Sequence, residues 1–106
     1  MIKLFEHRFV IENTLNIKYD IEDTVKNVLK KFFYNIPDIE VKVYNSEAII
    51  TFRLDALDTK SFTPSILKSE LKKFGKVSQS RFKHPRLTQG TTEFRYDIEF
   101  IGENND

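Results

Sequence analysis

Chemistry in this chain is concentrated in one run of cations. Between Lys68 and Arg86 stand seven basic residues, Lys68, Lys72, Lys73, Lys76, Arg81, Lys83 and Arg86, with His84 among them and Glu70 as the one acid. That segment carries +6, whereas the other residues hold ten basic and fifteen acidic side chains and sum to −5, in a chain of formal net charge +1. Clustered lysine and arginine attract phosphate or carboxylate, and the affinity they give falls as salt rises. Lys68 and Lys72 are one helical turn apart, and the strand or loop after them can bring Arg81, Lys83 and His84 near. These residues, with Lys73, Lys76 and Arg86, are the candidate anion-binding surface.

Other reactive groups are few. His7 lies between Phe5 and Phe9 on an apolar face, where a lone histidine serves as a hydrogen-bonded core or rim residue more often than as a base or ligand. Asp55 and Asp58, three apart beside Thr59 and Ser61, fit turn and cap bonds better than a divalent ion. The absence of cysteine excludes disulfides, thiolate metal sites and a cysteine nucleophile. No glycine-rich phosphate loop, GxSxG elbow or HExxH helix occurs. No catalytic residue, metal site or cofactor is therefore expected.

Length and composition bound the scaffold that must carry the cations. At 106 residues the chain has the size of one domain, and folding at this length buries roughly 65% of the unfolded surface. Ten Phe and four Tyr against a single Met and no Trp predict a core filled by rings, and three Gly and three Pro predict short connections. Charged residues among the first nine leave no signal-peptide core, and nowhere do about 18 apolar residues run together. The expectation is a cytoplasmic protein with no membrane contact.

Periodicity then supplies the elements. Residues 2–11 alternate, with Phe5, His7, Phe9 and Ile11 on one face, which predicts a first strand; Leu15, Ile17 and Tyr19 also alternate. Asp20 as N-cap, with Glu22 and Asp23 in the first turn, predicts a helix from Ile21 carrying Ile21, Val25, Val28, Leu29, Phe32 and Phe33 on its apolar stripe and ending before Pro37. A hairpin follows over 39–54, turning at Asn45 and Ser46. After a connection over 55–62, Thr63 and Pro64 start a second helix that buries Leu67, Leu71 and Phe74. Gly75 is expected to end it in the left-handed conformation. Residues 77–84 are extended but polar and predict an edge strand or, with 85–91, a long basic loop. Phe94, Tyr96, Ile98 and Phe100 mark a final strand.

Strands with one apolar and one polar face fit a sheet covered by helices on one side. The prediction is an α+β two-layer sandwich of ferredoxin-like βαββαβ order with an extra C-terminal strand, the first and third main strands central, spanning residues 1–102 before an acidic tail at 103–106. Such a sheet invites comparison with RNA-recognition modules, which stack bases on exposed rings. The faces argue otherwise: Phe5, Phe9, Phe52, Phe94, Tyr96 and Phe100 point to the core, and the open side shows Arg53, Glu93, Arg95, Asp97 and Glu99, with Tyr44 as its one ring.

The function expected from sequence is thus a small non-enzymatic interaction protein that presents residues 68–86 to nucleic acid or an acidic protein. The alternative is a structural or assembly-adaptor subunit that forms a homo-oligomer through its open sheet face, where Leu4, Val10 and Ile49 sit, or through an edge strand. An enzyme whose groups converge only in space is the third reading.

Overall fold

The protein, seen in a computed structural model, is described over residues 2–83 and 91–100, and in its side chains over residues 16–83 and 91–100. It opens on a helix where a strand is expected. Helix α1 runs unbroken over Ile2–Leu29, absorbing the predicted strand at 2–11, the alternating stretch at 15–19 and the predicted helix start at Ile21. The physical reason lies downstream. Ile21, Thr24, Val25, Val28 and Leu29 are buried, so packing fixes that part of the helix. Each residue added at its N-terminus then costs propagation rather than a new nucleus, and no Gly or Pro precedes Pro37 to stop it. The side chains of Phe5, His7 and Phe9 lie outside the described residues.

Past Leu29 the helix tightens into a turn in which the Lys31 and Phe32 amides donate to the Val28 and Leu29 carbonyls, three residues back, each at 3.0 Å. The predicted hairpin follows as β1 (Ile39–Val43) and β2 (Glu47–Leu54), paired antiparallel with Val41 opposite Ile50. The expected connection at 55–62 holds a short helix, α2 (Ala56–Ser61), which Asp55 starts by accepting the Asp58 amide on its side-chain oxygen at 2.8 Å. Helix α3 (Pro64–Leu71) begins at the predicted Thr63–Pro64 signal. Strand β3 (Lys76–Lys83) settles the polar stretch as a sheet edge, and β4 (Thr92–Glu99) is the predicted last strand.

The result is a small α+β domain with a four-stranded antiparallel sheet in the order β1-β2-β4-β3. A ferredoxin-like order would need residues 2–11 as a central strand. With those residues helical, β4 takes the central place beside β2 instead. The topology is helix–hairpin twice, α1-β1-β2 and α3-β3-β4, and the second strands of the two halves meet at the middle of the sheet.

Burial alternates strictly across that middle. Ala48, Ile50, Phe52 and Leu54 on β2, and Thr92, Phe94, Tyr96 and Ile98 on β4, are all buried, as two-residue periodicity requires. The core is made of rings, as composition predicts. Phe52 stacks on Phe94 at 5.5 Å and on Tyr96 at 6.2 Å. Phe62 meets Phe32, Phe33, Phe52 and Phe94 at centroid distances of 5.3 to 6.1 Å.

Candidate anion-binding surface

Two elements carry the described cations of the basic segment, and each is aimed by its buried neighbours. On α3, Leu67 and Leu71 are fully buried and fix the rotation of the helix. The Tyr96 hydroxyl anchors its first turn by donating to the Pro64 carbonyl at 3.1 Å. Burial raises the Tyr96 hydroxyl above its ordinary range, opposed by the positive charge of Arg81, so it stays a donor.

Rotation then sorts the lysines. Lys73 turns toward α1: it lines a cavity of about 410 Å³ with Asp20, Asp23, Thr24, Asn27 and Phe74, and its Nζ sits 5.4 Å from the centre of the Phe74 ring. At 3.6 residues per turn Lys68 and Lys72 both lie to one side of the buried Leu67–Leu71 stripe, about 100° and 140° around from Leu67. Glu70 falls on the other side of that stripe. Helix α1 packs on β1 and α3 on β3.

Strand β3 sorts its own cations by alternation. Val77 is buried opposite Ile98, so Gln79, Arg81 and Lys83 share the helix-covered side and Lys76, Ser78, Ser80 and Phe82 the open side. Arg81 extends across the core margin, its guanidinium carbon 5.2 Å from the centre of the Phe94 ring, while the residue as a whole stays exposed. A guanidinium resting on an aromatic face is held in position without spending its hydrogen-bond donors. Lys76 instead projects from the opposite face, in register with Glu99.

The predicted set therefore divides. Lys68 and Lys72 share one flank of α3, and Arg81 and Lys83 share the helix-covered side of the β3 edge. Lys73 and Lys76 are directed elsewhere, and His84 and Arg86 lie outside the described residues. The signal for the split was present in sequence, since Lys76 is an odd number of strand positions from Arg81 and Lys83.

Gly75, between α3 and β3, corrects an expectation of mechanism. Helix α3 ends at Leu71, with Lys72 in the right-handed conformation (φ −63°, ψ −19°). Gly75 adopts no left-handed φ; a Cβ there would strike the Glu99 carbonyl oxygen and come within 3.2 Å of Ile98 Cγ2. Close approach of the chain to β4, rather than a helix exit, requires glycine.

The open face of the sheet is neutralised internally. Arg95 grips Asp97 through Nε at 2.7 Å and a second guanidinium nitrogen at 3.1 Å, and this bond followed by the charge of Asp97 raises the Arg95 pKa further. Arg53 pairs with Glu93 at 3.3 Å, and Lys42 with Glu40 at 3.8 Å. The rings Phe52, Phe94 and Tyr96 point away from this face into the core, at 3%, 0% and 0% exposure. Phe82 joins Tyr44 as an exposed ring on the open side, which sequence analysis missed. Phe82 is near the end of edge strand β3 and Tyr44 follows the end of β1 at the opposite edge, so the two make no stacking platform. A depression of about 580 Å³ at one end of the face includes Asp38, Glu40 and Glu93 against Arg53 in its lining, an acid excess unsuited to anions.

Asp55 serves as the α2 cap, as its spacing suggests. Among the described residues no group of three or more His, Cys, Asp or Glu is placed to hold a metal, and no helix is long and apolar enough to cross a membrane. No protein-family model, curated protein or solved structure matches the chain.

Proposed function

We propose that this chain is a small non-enzymatic binding protein that holds an anionic partner, nucleic acid first, against Lys68 and Lys72 of α3 and Arg81 and Lys83 of β3. One observation supports the reading: the burial of Leu67 and Leu71 sets Lys68 and Lys72 on the same flank of α3, and β3, which follows it in the chain and packs against it, bears Arg81 and Lys83 on its helix-covered side. Glu70, the one acid between Thr63 and Lys83, lies on the other flank. Ammonium groups that are exposed at Lys72 and Lys83 and half-buried at Lys68, with a ring-supported guanidinium, suit phosphates along a backbone, without reading base identity. The sheet rings are spent in the core, so base stacking is not the mode of contact.

Fluorescence polarisation with labelled single-stranded and duplex oligonucleotides at low salt tests this. Binding should weaken with salt at a log–log slope of about −3 to −4 on duplex, one unit for each cation engaged. Replacing Lys68, Lys72, Arg81 and Lys83 by Ser should abolish most of that binding, whereas replacing Lys73 and Lys76 should leave most of it. Equal losses from the two sets would refute the assigned surface. Binding to an acidic polypeptide but to no oligonucleotide would move the partner to the protein class.

A further inference from the structure

Strand β1 is an outer strand of the sheet, and no described strand lies beyond it. Its backbone orientation follows from one bond. The Tyr44 amide donates to the Glu47 carbonyl at 2.7 Å, which makes that position a hydrogen-bonded pair, and in an antiparallel ladder such pairs alternate with pairs that do not bond each other. In the observed register Lys42 and Glu40 therefore bond to β2 across Ile49 and Thr51, while Ile39, Val41 and Val43 turn their amides and carbonyls outward. Side chains alternate in the same rhythm. Glu40 and Lys42 are exposed on the open face; Ile39 and Val43 are only half-buried on the core side, although Phe52 and Ala48 opposite them are 3% and 0% exposed.

We propose that β1 pairs with β1 of a second copy of this chain, antiparallel about a twofold axis at Val41, joining two four-stranded sheets into one. In that register Ile39, Val41 and Val43 face Val43, Val41 and Ile39 of the second copy and exchange roughly six backbone hydrogen bonds. Glu40 falls opposite Lys42 of the second copy, twice, in the non-bonded pairs where side chains approach most closely. The half-exposed Ile39 and Val43 cover each other. Charge and strand length select the register: slipping two residues one way sets Lys42 against Lys42, and the other way sets Glu40 against Glu40 and carries Val43 past the strand onto Pro37, which has no amide to donate. Strand β3 cannot serve in the same manner, because it carries Lys76, Arg81 and Lys83 and no acid, so two such edges repel. The inference concerns an edge distant from the basic surface and stands independently of it.

Sedimentation equilibrium of the full chain over a concentration series tests it through paired charge swaps. Wild type should show a reversible monomer–dimer equilibrium. Glu40→Lys alone, or Lys42→Glu alone, turns both attractive pairs repulsive and should weaken the dimer by about thirtyfold. Mixing the two single variants should restore dimer as a heterodimer, and the double variant Glu40→Lys, Lys42→Glu should restore the homodimer. Both side chains are exposed, so circular dichroism should show every variant folded. A wild type that stays monomeric at every concentration, a dimer indifferent to both single swaps, or a mixture that fails to recombine overturns the proposal.

Discussion

Removing a single oxygen, Tyr96→Phe, isolates the contact that holds the basic helix to the sheet. The ring is fully buried and stacked on Phe52 at an interplanar angle of 17°, and phenylalanine keeps that packing. What is lost is the bond to the Pro64 carbonyl. A net hydrogen bond of this kind is worth about 0.5–1.5 kcal/mol, so near neutral pH the variant should be less stable by about 1 kcal/mol.

The pH dependence supplies a second, sharper reading. Burial raises the hydroxyl above the ordinary tyrosine value of 10.0, with Arg81 pulling less strongly the other way. Above pH 10 the unfolded chain has released this proton while the folded one keeps it. The unfolded state then binds fewer protons, and stability falls as pH rises, by up to about 1.4 kcal/mol per unit. The stabilisation is complete below the unfolded value and is lost as pH climbs toward the raised folded one. Phenylalanine has no such loss, and every other ionisable group is common to both proteins and cancels. The two stability curves should start about 1 kcal/mol apart and cross near pH 11. Urea titrations followed by circular dichroism between pH 7 and pH 11 measure this. A gap that stays constant over that range would refute the assignment of a buried, neutral donor.

Two further perturbations probe the scaffold. Phe62→Ala removes the ring that contacts Phe32, Phe33, Phe52 and Phe94 and should cost about 3–5 kcal/mol in chemical denaturation, whereas Phe82→Ser at the half-exposed edge should stay within about 0.5 kcal/mol. Gly75→Ala places a methyl against the Glu99 carbonyl; it should cost about 1–3 kcal/mol and speed amide exchange first at the start of β3, where Lys76 pairs with Glu99.

Much of this architecture was legible where local pattern and tertiary demand agree. The hairpin of β1 and β2, the Thr63–Pro64 helix start and the inward rings of β2 and β4 all follow from alternation or capping, and packing reinforces each. Residues 2–11 are the opposite case. Their alternation is compatible with a strand, but what decides them is the packing of Ile21 to Leu29, which no local window contains. Gly75 marked a real boundary for a reason sequence does not disclose, since the approach of β4 is a contact between distant segments. The basic segment was visible as a count of charges. Its division into two directions needed the position of Val77 and the rotation of α3.

The seam between β2 and β4 also governs how the chain acquires its shape in time. The β1–β2 hairpin turns through only Tyr44, Asn45 and Ser46, and such a local closure completes in microseconds. Leu54 meets Thr92 only after some forty intervening residues have been gathered in, an entropic toll levied before any contact rewards it. Neither half gains much by waiting alone, for its second strand keeps an uncovered apolar face and an open row of amides until the other arrives. Collapse of the two halves onto each other is thus the slow, committing event, and the chain gains or loses its structure there as a unit.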